Sequence, residues 1–452
     1  RPPSSCKNFR STAPLLKPRS TNTREIFHAC STKQSKSKLV HKEATTIEYD
    51  YVLMNIYPLT FRQLLCASSL FLATSTLIAQ QAPMTNPFLG LMIAADKHAK
   101  AHGAPTPTLS PLDATLLGPN PPVNVAELHK AGFKVVPWTT DDAVKMRALM
   151  DLRVDGIISD YPNILQQVVA EQKAAHPEEA EYFKTFVVSA HRGGRGLRPE
   201  NTLPSFESGL DHLATELETD TGVTSDHVSL IWHDQFLNPE SCRRVDGKPY
   251  TREERIYTRD ITLAYAQSTF ICDKLHHGPA YGNAKFDDQQ NDLALSPVAV
   301  AFAKHEHLIS PYVPTYAEQL FRFARFYAEY YSTGAGKSHP DAAARAANAR
   351  TVRFNLETKI TPFPEDPAGQ PPPPLPEHTE PKTNHTFDPQ TFVSTLCGAI
   401  MRNHMESRAD VQSFDFRTLI LVEDQFPKIP TYYLTGPPKL LSTDFVPAAL
   451  RQ

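Results

Sequence analysis

The sequence predicts an α/β fold, a (β/α)8 TIM barrel, on three observations. Between Phe186 and Asp234, three successive strand-like runs each end in a polar cluster, as strands do where they build a site at the C-terminal face of a parallel barrel. Between Phe133 and Ala175, strand and helix patterns alternate as in β-α-β units. Counted over the whole chain the strand-like runs number eight, enough to close such a barrel.

The 452 residues suffice for one large barrel or two ordinary domains, and a net charge of −3 carries no signal for nucleic acid. Arg1–Glu43 hold ten Lys/Arg against two acids and lack apolar periodicity, so residues 1–53 are expected to be disordered. They read as an organelle transit peptide or as sequence upstream of the true start. Met54, then Arg62, the apolar run Leu64–Ala79 and Gln80-Gln81 predict a secretory signal peptide over 54–79, cleaved after Ala79. An uncleaved membrane anchor over 64–79 and a buried core helix are the alternatives. Cleavage would leave residues 80–452 with no membrane span, in a secreted or periplasmic protein. Of the cysteines then remaining, Cys242 and Cys272 share a long loop and are able to pair in an oxidising compartment, leaving Cys397 free; three buried thiols fit equally well.

Ala82–Pro122 is rich in Pro, Ala and Thr, with a helical stretch near Leu91–Ala101 and no recognisable chemistry. Helical patterns at Val123–Ala131 and Asp141–Leu152 enclose a strand at Phe133–Val136, and a second strand at Val154–Ser159 leads to a helix from Asn163 to about Ala175. Six strands are then expected, at Phe186–Ala190, Thr215–Val223, Val228–Trp232, Val352–Ile360, Val411–Phe416 and Ile429–Thr435. A long insertion spans 235–330 and a Pro-rich loop spans 362–389. His305 and His307 lack spaced partner ligands and read as loop residues. Gly334-Ala335-Gly336-Lys337-Ser338 lacks the first glycine of a P-loop and the strand before it, so it is not read as a nucleotide site.

The chemistry sits in the central run. The first strand delivers His191-Arg192-Gly193-Gly194, and Glu218 and Asp220, two apart on the second, project from one face. The third ends in His233-Asp234, and alternation along Arg353–Lys359 sets Asn355, Glu357 and Lys359 together. HRGG, PENTLPSFESG, LETDTGVT and WHD, in this order, closely resemble the glycerophosphodiester phosphodiesterase family of (β/α)8 barrels. PWTTDDAVKMRALMDLRVDGIISDYP resembles the family's last two strands, here placed before its first, which implies a circularly permuted barrel.

The resemblance implies His191 and His233 as an acid–base pair, and Glu218, Asp220 and Glu357 as ligands of a metal. Three carboxylates with no nitrogen or sulfur suit a hard ion, Ca2+ or Mg2+. Arg192 and Lys359 would neutralise the phosphoryl group, and Trp138 would wall the glycerol or head group. The expected reaction is metal-dependent hydrolysis of a small glycerophosphodiester to glycerol 3-phosphate and an alcohol, through attack of the glycerol 2-hydroxyl and a cyclic phosphate. The alternatives are phospholipase D-type cleavage of lysolipids or sphingomyelin, and a non-catalytic barrel that binds phosphate ligands. Head group and oligomeric state are left open.

Overall fold

The computed structural model describes residues 86–277, 286–360, 383–443 and 445–451, all within the compact unit Ile78–Gln452. The expected leader, signal peptide and most of the Pro-rich loop lie outside the described residues. No helix among the described residues is long and apolar enough to cross a membrane.

A helix, Pro87–Ala101, leads into β1 (Thr108–Pro111); β2 (Gly156–Ser159), β3 (Val187–Ala190) and β4 (Glu216–Val223) follow. After β4 come a short β5 (Ser229–Ile231) and a two-stranded ribbon of β6 (Arg243–Arg244) and β7 (Phe270–Ile271). The chain ends with β8 (Arg353–Thr358), β9 (Ala409–Ser413) and β10 (Thr431–Thr435). The main sheet runs β1-β10-β9-β8-β4-β3-β2 with every one of these pairs parallel. Residues 134–138 join its two ends. On one side Val136 N and Trp138 N donate to Leu109 O and Pro111 O; on the other, Asp155 N and Ile158 N donate to Val135 O and Pro137 O. Pro137 has no N–H to lose, so a proline is tolerated here with its carbonyl still in the ladder. Counting this segment, eight parallel strands close the ring.

Two strand assignments therefore change. Val228–Trp232 is not a barrel strand: β5 folds back antiparallel on β4, pairing Thr221 with Ile231 and Val223 with Ser229. The turn that reverses it holds His227 at φ +56° and is tied by Thr224 Oγ1, which accepts from Val228 N at 3.0 Å. The strand that takes its place in the count is β1, inside the stretch Ala82–Pro122 where the sequence predicts no strand. Its four residues, TLSP, are all buried, and Ser110 is satisfied by donating to Val136 O at 2.7 Å. Three barrel strands thus precede β3 rather than two, and five rather than six run from β3 onward.

Alternation along the strands sorts their side chains. In β4, Leu217 joins the main apolar cluster outside the ring, while Glu216, Glu218 and Asp220 point inward. In β8, Phe354 meets the Phe321 ring of the helix Ala317–Ser332 edge-on at 5.1 Å, and Asn355 and Glu357 point inward. The register sets Glu218 beside Asn355 and Asp220 beside Glu357.

The insertion packs Leu237, Tyr250 and Phe270 with Trp232, which follows β5, in a second apolar cluster that contains the Cys242–Cys272 disulfide. Cys397 is free and buried. Gly334–Ser338 follows the C-terminus of the helix Ala317–Ser332 and no strand leads into it, as its rejection as a P-loop requires.

Candidate active site

His191, at the C-terminal end of β3, opens a tight turn in which Arg192, Gly193 and Gly194 all take positive φ, +51°, +82° and +110°. The turn lies against the start of the helix Leu203–Asp211. A Cβ on Gly193 would sit 2.5 Å from Ser205 Oγ and 2.7 Å from Phe206 N, so glycine is required by both space and backbone angle. Thr202 and Ser205 cap that helix reciprocally, and Ser205 Oγ donates to Arg192 O at 2.7 Å. The HRGG and PENTLPSF blocks are two halves of one rigid corner.

That corner aims the ionic groups. Glu218 accepts Arg192 N at 2.9 Å on one oxygen and Gln412 Nε2 at 2.6 Å on the other. Asp220 Oδ2 accepts from Asn201 Nδ2 at 2.9 Å and lies 3.0 Å from Arg192 Nε; Glu357 lies 3.0 Å from Lys359 Nζ. One oxygen from each of Glu218, Asp220 and Glu357 falls within 4.8 Å of the others. Burial, then repulsion from Asp220, pushes the Glu218 carboxyl well above the carboxylate range. Burial also lifts Glu357, to about 7, against the pull of Lys359. Asp220 goes the other way: burial opposes ionisation, but Arg192, His233 and Lys359 hold it well below its ordinary value. A pair of unit charges about 4 Å apart at an effective dielectric of 20 interacts by roughly 4 kcal/mol, so full ionisation of this trio calls for a further cation.

The residues fit that cation. The donor set is all oxygen, and the buried Asp220 Oδ1 accepts no hydrogen bond among the described residues, with only Lys359 Nζ at 3.6 Å. Calcium or magnesium, with six or more oxygen ligands including water, would suit it.

Both histidines are oriented by carboxylates. His191 Nδ1 lies 2.5 Å from Asp160 Oδ1, at the end of β2, and its Nε2 is 3.9 Å from Glu218. Burial drives the His191 imidazole down to about 4 despite Asp160. Asp160 is buried too, but the charges of Arg195 and His191 hold it ionised, far below its ordinary value. At neutral pH the single His191 ring proton therefore sits on Nδ1 and the Nε2 lone pair faces the cavity. His233 Nδ1 lies 2.7 Å from Asp234 Oδ1, and burial, with Arg192 and Lys359, lowers its pKa.

One cavity of about 280 Å³ gathers these groups: His191, His233, Arg192, Glu218, Glu357, Lys359 and Trp138 all line it. Trp138 forms part of its wall, its indole N–H donating to Ser110 O at 3.1 Å and its ring edge-on to Phe414 at 5.3 Å. All eight residues singled out from sequence thus lie in or against one site, Asp220 joining through Arg192 and Lys359. Sequence reasoning missed Asp160, Arg195, Glu200 and Gln412. Asp160 ends a barrel strand, the one signal that marked it. Glu200 pairs with Arg192 at 2.8 Å, and Arg195 Nε lies 2.7 Å from Asp160.

A second, mainly apolar cavity of about 290 Å³ adjoins the first, sharing His233, Glu357, Lys359, Phe414 and Leu434 and walled by Phe416, Leu441, Phe445 and Val446.

Compared with known proteins, the chain matches the model of the Glycerophosphoryl diester phosphodiesterase family over residues 31–164 and 191–323. It is 39% identical over 67 residues to a glycerophosphodiester phosphodiesterase of Bacillus altitudinis, which covers 15% of this chain and 27% of the relative. It is 32% identical over 84 residues to a lysophospholipase D of Mus musculus, covering 18% and 26%. These matches span about a quarter of each relative's length. Among solved structures, a phosphodiesterase of Oleispira antarctica in complex with sn-glycerol-3-phosphate aligns at TM-score 0.30 and 14% identity, over 54% of this chain and 64% of that one. A glycerophosphodiester phosphodiesterase of Parabacteroides distasonis aligns at TM-score 0.28 and 14% identity, over 56% and 74%. With the family model matched over more than half of its length, and with a parallel barrel that gathers the motif residues in one cavity, this chain belongs to the glycerophosphoryl diester phosphodiesterase family.

Proposed function

We propose that this chain hydrolyses glycerophosphodiesters to glycerol 3-phosphate and an alcohol, with Glu218, Asp220 and Glu357 holding Ca2+ or Mg2+. The observation that carries the reading is the convergence of two carboxylate-oriented histidines, Glu218, Glu357 and Lys359 on one cavity, with the buried Asp220 grouped beside those two carboxylates. The bound ion would neutralise phosphate oxygens. His191 Nε2, its lone pair held in place by Asp160, accepts the proton of the attacking glycerol 2-hydroxyl as its oxygen bonds to phosphorus. His233 in its protonated form delivers a proton to the departing alkoxide, and the roles reverse when water opens the cyclic phosphate. Lys359 and Arg192, each also paired with carboxylates of the site, offset charge growing on the phosphoryl oxygens. Trp138 walls the glycerol or head group.

The test is glycerol 3-phosphate release from glycerophosphocholine by the full chain, with added Ca2+ or Mg2+ and with EDTA. His191→Ala or His233→Ala is expected to lower kcat by about 10²–10⁴-fold, and Glu218→Ala to abolish the response to metal. A folded wild-type protein that released nothing from several glycerophosphodiesters would sink the assignment.

The adjoining apolar cavity favours a second reading, cleavage of lysolipids by the same groups, because it opens on His233 and Lys359 where a substrate's aliphatic part would leave the catalytic cavity. Release of choline from lysophosphatidylcholine faster than from glycerophosphocholine would select it. The Cys242–Cys272 disulfide supports the further proposal that the protein works in an oxidising compartment, secreted or periplasmic. The three strands ahead of β3 support reading the chain as a permuted member of its family.

A further inference from the structure

The helix Pro87–Ala101 carries His98, and the residue that terminates it is His102. Positions four apart share a helix face. Both imidazoles turn to Asp424 on the outer helix Phe416–Gln425: His98 Nε2 lies 2.8 Å and His102 Nε2 3.4 Å from the same Asp424 Oδ1, with ring centroids 4.5 Å apart. His102 Nδ1 sits 2.9 Å from the backbone carbonyl of His98. A carbonyl only accepts, so Nδ1 carries a proton, and Nε2 is the ring nitrogen left to face the carboxylate oxygen. The three groups leave room for a cation shared between them, either a proton on an imidazole or a metal ion. The negative end of the helix dipole at this C-terminus adds to the attraction.

We propose that His98, His102 and Asp424 bind a divalent transition-metal ion of the zinc class, which ties the helix preceding β1 to the outer wall of the barrel. Two imidazoles and one carboxylate suit zinc, in contrast to the all-oxygen set inside the barrel. The backbone carbonyl on His102 Nδ1 is the outer partner that ligating histidines ordinarily have. Tetrahedral donors about 2.0–2.1 Å from zinc stand roughly 3.3 Å apart. The His102–Asp424 separation already matches this, and His98 needs to withdraw by about half an ångström. His102 is 41% exposed, which leaves room for water as a fourth ligand.

The experiment titrates zinc chloride into the full chain by calorimetry in excess Mg2+, which keeps the barrel carboxylates occupied, and follows melting temperature alongside. It compares wild type with His102→Ala, Asp424→Asn and Glu218→Ala. Wild type and Glu218→Ala are expected to bind one equivalent of zinc that His102→Ala and Asp424→Asn bind at least about tenfold more weakly. Zinc should raise the melting temperature of wild type and not of those two variants, whose metal-free melting temperatures stay at the wild-type value. Wild-type zinc affinity retained in both surface variants, or no binding by wild type, would overturn the proposal.

Discussion

At the residue scale the site depends on groups that hold the histidines as much as on the histidines themselves. Asp160 fixes the His191 ring proton on Nδ1 through a 2.5 Å contact and is kept ionised by Arg195. Asp160→Asn keeps the shape but lets the ring adopt the other tautomer, so kcat is expected to fall roughly 100-fold or more with little change in KM; steady-state kinetics with a pH profile would check this. Behind it, Asp141 accepts Ser159 Oγ at 3.0 Å and Asp160 N at 2.8 Å, and burial followed by repulsion from Asp160 raises its carboxyl to about 7. An acid whose folded pKa lies above its unfolded value favours the native state while protonated. Its contribution is fully present below about pH 4 and is lost as pH rises towards 7, at up to about 1.4 kcal/mol per pH unit. Asp141→Asn should flatten that part of the stability profile in urea unfolding between pH 4 and 8, and an unchanged slope would refute the assignment.

At the element scale the central unit is held by close approach of backbone to backbone. Gly209, inside the helix Leu203–Asp211, has no room for a methyl: a Cβ would lie 2.8 Å from Leu217 Cδ2 and 2.9 Å from Gly193 O. Alanine would gain about 0.5–1 kcal/mol of helix propensity, while overpacking costs about 1–3 kcal/mol. Gly209→Ala is therefore expected to destabilise the protein by about 1–2 kcal/mol in chemical denaturation and to weaken activity by shifting the His191 turn. The same helix supports the insertion, because the buried Glu207 accepts Val298 N at 3.0 Å and Ala299 N at 2.6 Å, capping the helix Pro297–His305. The four-residue β1 shows the opposite case, an element with almost no local signal that exists because β10 and residues 134–138 present ladders on both sides.

For the whole molecule, closure is the property that matters. β1 hydrogen-bonds to β10 along Thr108–Pro111, so residues far apart in sequence share one seam. A chain lacking residues 1–131 would expose β10 and residues 134–138 as unpaired edges. Loss of a cooperative thermal transition by circular dichroism, with aggregation, is the expected result. A cooperative melt like that of the full chain would show that the ring does not need β1. The apolar cavity beside the site is also a property of this scale, since its walls come from β8, β10 and the C-terminal Leu440, Leu441, Thr443, Phe445 and Val446 together.

The sequence by itself determined the fold class, the chemistry-bearing residues and their grouping, because strand alternation puts Glu218 with Asp220 and Glu357 with Lys359 whatever the surroundings. It also marked Cys242 and Cys272 as able to pair. Only the tertiary structure decided which runs are barrel strands, since β1 is too short and too rich in polar and Pro residues to read locally, while β5 has a strand's composition but a turn that folds it back. The same holds for Asp160, Arg195 and Gln412. Asp160 and Arg195 act between the paired strands β2 and β3, and Gln412 reaches Glu218 from β9, two strands from β4; no spacing along the chain records such distances between strands of a barrel.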